Sequence, residues 1–214
     1  MSLLLYGIIY AQDKPDRDTT LSVIKAGKLS AIVAASPQIL SREPLDVLAY
    51  GQCIQAIHQQ VTIVPMRYGS ILADEDAVKD HLHENKRHYR KRLNELNQCD
   101  EIGIRLTINV EPDSHPMPHK SLSGLHYLLE RKRAQSLPLH IEQLAELLNT
   151  TLLGLYKEHS ADMSVFNGQQ TYLISYLVPR IYLTSFMNRL NNIRRDLLML
   201  CSVSGPWPPY SFAN

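Results

Sequence analysis

Between Glu101 and Glu111 the chain reads E-I-G-I-R-L-T-I-N-V-E. Ile102, Ile104, Leu106, Ile108 and Val110 alternate with Gly103, Arg105, Thr107 and Asn109. A period of two puts the five aliphatic side chains on one face of a strand and the polar set on the other. β-branched Ile and Val favour that extended backbone. The pattern predicts a half-buried strand. It stands near the middle of the chain, just after a long charged helical pattern, and predicts the opening of a second domain.

The preceding half reads as an α+β unit. Leu3 to Ala11 forms an apolar first strand, Asp13 to Thr20 a polar loop, and Leu29 to Ala35 a second strand after the turn signal Gly27-Lys28. Ser41 caps a helix with Glu43 and Pro44 in its first turn. This helix runs to about Gln59, with Leu45, Leu48, Ala49, Cys53 and Ile57 near helical spacing. Val61 to Pro65 is a short strand that continues through a bend to Leu72. Asp74 then caps the most legible helix, with Val78, Leu82, Tyr89, Leu93 and Leu96 on one stripe. About 23 residues make it roughly 35 Å long. The expected order is β-β-α-β-α over residues 1–98, with Asn97 to Asp100 as a short linker.

After the central strand, Pro112 to Pro118 forms a loop. Ser121 starts a helical region with Leu122, Leu125, Leu128 and Leu129 on its apolar side. Pro138 interrupts it, and Ser136 can cap a second segment carrying Ile141, Leu144, Leu147, Leu148 and Leu152; one kinked helix and two helices both fit. Asp162 to Phe166 and Thr171 to Val178 are strands joined at Asn167-Gly168, a strong hairpin signal. A helix from Arg180 to about Arg194 and a strand from Leu197 to Val203 follow. Residues 99–214 therefore read β-α-β-β-α-β, the ferredoxin-like order, with a Pro/aromatic tail.

Composition bounds the function. A hydrophobic fraction of 44% and a charged fraction of 20% describe a folded chain. A formal net charge of +1 provides no global field for nucleic acid or membrane surfaces. Cys53, Cys99 and Cys201 show no CxxC spacing and read as reduced cytosolic thiols. The apolar run at Leu3 to Ala11 lacks a basic leader and reads as a buried strand, and no apolar run is long enough to span a bilayer. The chain reads as soluble and cytoplasmic.

Catalytic signatures are missing: no G-x-S-x-G elbow, P-loop, G-x-G-x-x-G or H-E-x-x-H. His81, His83 and His88 lack the helical spacing of a metal pair, and His115 and His119 flank a Pro-rich loop with no neighbouring cysteine; no metal or other cofactor is expected. The run Lys86 to Arg92 follows Asp74, Glu75, Asp76, Asp80 and Glu84, the order that suits a helix macrodipole and a solvated face. Arg67 stands among apolar residues in V-P-M-R-Y-G-S-I-L, so it calls for an ion pair to an acid of the Asp74 helix or, failing that, a ligand or partner. The ending around Trp207, Tyr210 and Phe212 holds three prolines that fix an extended path. It either presents those aromatics to a partner or lies back over the first domain and locks the two together.

The segments L-L-Y-G-I-I, V-P-M-R-Y-G-S, S-G-L-H-Y-L, Tyr176-Leu177-Val178 and G-P-W-P-P-Y-S-F, in this order from residue 3 to residue 212, resemble the GvpF/GvpL family of gas vesicle accessory proteins. Where the family more often has P-L-R-F-G, this chain has Pro65-Met66-Arg67-Tyr68-Gly69. The compact length leans towards the F type. The resemblance implies two α+β domains and no enzymatic activity or cofactor. It also implies a cytoplasmic, gas vesicle-associated assembly role on a shell built mainly from one small, very hydrophobic subunit. That subunit and other accessory proteins are the implied partners. Arg67, Tyr68, Trp207, Tyr210 and Phe212 are the candidate partner-binding or domain-junction residues. A small-ligand-binding or enzymatic ferredoxin-like protein is the alternative, since that fold hosts many functions. RNA binding is disfavoured because the central strand carries no aromatic pair.

Overall fold

The structure, a computed structural model, describes residues 1–16, 20–37, 39–108, 137–197 and 201–213, with backbone alone for 194–197. In the first half its elements are β1 (Leu3–Tyr10), β2 (Ser22–Ala26), β3 (Leu29–Ala35), α1 (Pro44–His58), β4 (Val64–Pro65), β5 (Ile71–Leu72), α2 (Glu75–Glu84) and α3 (Lys86–Leu96). The second half holds β6 (Cys99–Thr107), α4 (Leu139–Leu152), β7 (Glu158–Phe166), β8 (Gln169–Pro179), α5 (Leu183–Leu197) and β9 (Cys201–Trp207). The result is an α+β protein with two antiparallel sheets, ordered β2-β3-β1-β4, with β5 also on β1, and β7-β8-β6-β9. Asn109, Val110, the 112–118 loop, the helical region from Ser121 and Ser136 lie outside the described residues.

The first sheet is covered on both faces, and a β-bulge in β1 divides the apolar residues between them. The register against β3 shifts between Leu5 and Gly7, leaving Tyr6 as the extra residue. An inserted residue reverses the alternation beyond it. Leu4, Tyr6 and Ile9 therefore pack with Tyr50, Ile54 and Ile57 of α1, while Leu5 and Ile8 join the core under α2 and α3.

Several expectations for this half need correction. Ser22–Ala26 is a strand that pairs with β3 through the Gly27-Lys28 turn, missed because its five residues are too short for a clear period. The stretch 61–72 holds two two-residue strands, each pairing with β1. Glu43, not Ser41, is the N-cap residue of α1, and the Ser41 hydroxyl instead accepts the Glu43 N–H at 3.2 Å. The observed order is β-β-β-α-β-β-α-α. The stripe from Val78 to Leu96 is buried as expected, and Asp74 caps it by accepting the Ala77 N–H at 2.8 Å. It belongs to two helices, however. Asn85 leaves helical geometry at φ −96°, ψ 12°, and its side chain donates to the His81 carbonyl at 2.9 Å. Such local bonds compete with helix continuation.

The buried face of α1 also differs from the expected one. Leu45 is 77% exposed and Leu48 57% exposed, while Tyr50, Ile54, Ile57 and His58 face inward. The helix is apolar on both sides, so spacing alone does not choose between them. Tyr50 decides it: its hydroxyl donates into the carbonyls of Leu5 at 2.7 Å and Met66 at 2.9 Å. Burial and the neighbouring Tyr210, Tyr6 and Tyr68 raise the pKa of this hydroxyl and keep it a donor.

In the second sheet, Ile102, Ile104, Leu106 and Ile108 lie under α4 and α5 against Ile141, Leu148, Phe186 and Leu190. Asn167 and Gly168, at φ 51° and 77°, make the hairpin turn that left-handed residues favour. The strand β6 begins at Cys99 rather than after Asp100, and its first six residues are all buried. The expected half-exposure therefore applies only from Arg105 onward. There the guanidinium donates to the Ser164 hydroxyl at 3.0 Å and lies over the Phe166 ring at 4.4 Å. The last strand is Cys201–Trp207, shifted from the expected 197–203. It tolerates Pro206 because it forms a sheet edge.

Replacing Tyr50 by Phe removes the shared donor but keeps the ring. Urea unfolding of Tyr50→Phe should give a stability about 1–2 kcal/mol below that of the parent.

Candidate functional site at the junction of the two sheets

The doubly buried start of β6 sets the problem that this region solves. Asp100 and Glu101 are both buried, and a buried carboxylate needs a partner. Asp100 finds two. His58, at the end of α1, places Nε2 2.7 Å from Asp100 Oδ1, and the Arg180 Nε–H donates to the same oxygen at 3.2 Å. Arg180 also donates from Nη2 to the His58 carbonyl at 2.8 Å. Burial works against the Asp100 carboxylate, but the bond from His58 and the charge of Arg180 outweigh it and hold its pKa below the ordinary value. Residues from α1, β6 and the turn after β8 are thereby joined.

Glu101 is satisfied by the tail. Ser211 donates from its backbone N–H to Oε2 at 2.8 Å and from its hydroxyl to Oε1 at 2.7 Å. The tail reaches that position because β9 pairs with β6, with Trp207 opposite Glu101. Gly205, at φ +112°, passes so close that a Cβ would sit 2.6 Å from the Glu101 carbonyl oxygen. Only glycine fits there. Pro208 and Pro209 are buried, and Phe212, 2% exposed, enters the core beside Leu5, Leu93, Leu96 and Leu177.

The five candidate residues separate accordingly. Phe212 packs among residues of both sheets. Tyr68 is half-buried, donates to the Ser41 carbonyl at 2.9 Å and meets Tyr50 edge-on at 5.1 Å. Trp207 is 50% exposed. Arg67 is exposed, against the expectation of burial, and among the described residues no carboxylate lies within ion-pair distance of it. It lines a cavity of about 430 Å³ together with Ser70, Asn85, His88, Tyr89 and Tyr210.

His58, Asp100, Glu101, Arg180 and Ser211 were not singled out from sequence. Asp100 read as linker and Arg180 as a helix start, and nothing local pairs residues 42 to 122 positions apart. The one available signal was two adjacent acids leading into a strand of buried aliphatics. Among the described residues no group of three or more His, Cys, Asp or Glu is placed to hold a metal. Nor, among those residues, is any helix long and apolar enough to cross a membrane.

Two outcomes test the junction. A depressed carboxyl pKa stabilises the fold fully above the unfolded value and loses that contribution as pH falls through the folded one. Urea midpoints of the parent should therefore fall between about pH 5 and pH 2. Asp100→Asn should be less stable at pH 7, and its gap to the parent should narrow over that acid range. Phe212→Ala should cost about 3–5 kcal/mol by urea unfolding, as expected for a fully buried ring.

Comparison with known proteins places this architecture. The profile of the family described as "Gas vesicle synthesis protein GvpL/GvpF" matches residues 2–214. The chain is 25% identical over 220 residues to gas vesicle protein F of Streptomyces sp. (strain CB03234), covering 93% of this chain and 90% of that one. Its fold is similar to the crystal structure of the gas vesicle protein GvpF from Anabaena sp. PCC7120, at a TM-score of 0.74 and 15% identity over 100% of this chain and 96% of that one. GvpF from Microcystis aeruginosa gives 0.69 and 16%, over 100% of this chain and 99% of that one. The chain belongs to the GvpL/GvpF family of gas vesicle synthesis proteins.

Proposed function

We propose that this protein is an F-type assembly factor that engages the main hydrophobic shell subunit during gas vesicle formation, in the cytoplasm and in association with the growing vesicle. The observation that carries this reading is the outer face of α1. Leu45 and Leu48 stand in solvent, on the helix that also lines a largely apolar groove of about 470 Å³ formed by Leu21, Ala49, Cys53, Ala56 and Ile57 with the polar Asp16 and Gln52. A helix that is apolar on both sides and covered on one has a face left to give a partner. A strongly apolar subunit needs such a cover before it assembles, and an apolar helix face or groove is a common way of providing it.

The 25% identical Streptomyces relative, itself a gas vesicle protein F, supports the F-type reading. We also read the chain as two units, residues 1–98 and 99–214. The strand order β7-β8-β6-β9 supports a ferredoxin-like second unit. Binding rather than catalysis is the expected activity. Trp207 and Arg67 are the two candidates left exposed to a partner, whereas Tyr210 and Phe212 serve the junction and Tyr68 packs within the first unit against Tyr50. The cavity at Arg67 favours a second reading, small-ligand binding, which is compatible with assembly work.

Co-expression with the main gas vesicle shell subunit tests the proposal. Leu45→Glu combined with Leu48→Glu should reduce the co-purified subunit at least about tenfold, with stability changed by no more than about 0.5 kcal/mol per site, as for exposed positions. Unchanged recovery of the subunit would remove α1 from the interface.

A further inference from the structure

The cavity at Arg67 lies where three separated pieces of chain meet: the β4–β5 connection, the kink between α2 and α3, and the 3-10 turn at Tyr210–Phe212. About 430 Å³ is the size of a small-ligand pocket. Its polar lining is made of donors. The Arg67 side chain has neither an ion pair nor a hydrogen bond to any described residue, and the Tyr210 hydroxyl likewise has no hydrogen-bond partner among them. Burial, then the nearby Glu101, push the Tyr210 pKa up to about 12, so the hydroxyl keeps its proton. His88 makes a long 3.4 Å contact to the Ala213 carbonyl and meets the Tyr89 ring edge-on at 5.4 Å.

Ser70 and Asn85 are already engaged with the Arg67 and His81 carbonyls. Among the described residues no carboxylate lines the space; Glu84, next to Asn85, is exposed and outside the lining. The remaining walls are Pro65, Met66, Tyr89 and Ala213. A lone guanidinium beside a hydroxyl donor suits one carboxylate, held in the bidentate manner of arginine. The apolar walls suit a short aliphatic stem behind it. A doubly charged phosphate would leave that wall unmatched.

We propose that this cavity is a binding site for a carboxylate carried on a short aliphatic stem, the chemistry shared by a free dicarboxylic acid and a glutamyl side chain. Arg67 is the charged anchor and Tyr210 the second donor. The site stands on the cavity alone and is independent of the shell-binding face on α1.

The test is a titration of the full chain with two probes, glutarate and an acetylated, amidated alanyl-glutamyl-alanine. Backbone amide shifts are followed by NMR at constant ionic strength, with sodium chloride as control. The expected result is a saturable response at Met66, Ser70, Tyr89 and Tyr210 for at least one probe, and the tighter probe identifies the source of the carboxylate. Arg67→Met should weaken binding at least about tenfold at an unchanged thermal midpoint, since the side chain is exposed and has no partner among the described residues. Tyr210→Phe, which keeps the ring, should weaken it a few-fold. An equal response to chloride, no saturable response to either probe, or wild-type affinity in Arg67→Met would each overturn the assignment.

Discussion

Two adjacent carboxylates, Asp100 and Glu101, are taken out of water where β6 enters its sheet, and the joining of the two sheets depends on how each is satisfied. Breaking a buried charge pair costs several kcal/mol, whereas its net contribution over an apolar substitute is small or negative. The pairs therefore act chiefly by making one arrangement acceptable and others costly. Asp100 is complete only when α1 brings His58 and the turn after β8 brings Arg180. Glu101 is complete only when the tail brings Ser211. The C-terminal segment is for this reason part of the fold, with Phe212 supplying the apolar half of the attachment.

The same constraint organises the surface. Once the first sheet is covered by α1 on one face and by α2 and α3 on the other, its apolar demand is met. The second apolar side of α1 then remains exposed. An exposed Leu alone means little. Leu45 and Leu48 stand exposed on the helix that also lines a largely apolar groove, the kind of surface found at interaction sites. The proposed contact with a shell subunit rests on that surface.

Much of this architecture could be read from local pattern. The central strand with its alternation from Arg105 onward, the stripe from Val78 to Leu96, the Asp74 cap and the Asn167-Gly168 turn each follow from a short-range rule and recur in the structure. The family also showed in its motifs, and the structure accounts for one of them. In G-P-W-P-P-Y-S-F the glycine admits the Glu101 carbonyl, the serine satisfies its carboxylate and the phenylalanine fills the core.

Sequence alone determined the elements whose side chains repeat with the period of their own backbone, because helix and strand geometry act over four residues or fewer. Tertiary structure decided what lies against them. It decided which side of α1 is inner, since both sides are apolar and the Tyr50 hydroxyl finds carbonyls on one of them. It decided that Arg67 faces a cavity rather than an acid. It also made Asp100 part of a buried cluster instead of a linker. Each of these depends on groups tens of residues apart, whose proximity is a property of the packed chain and leaves no mark on local spacing.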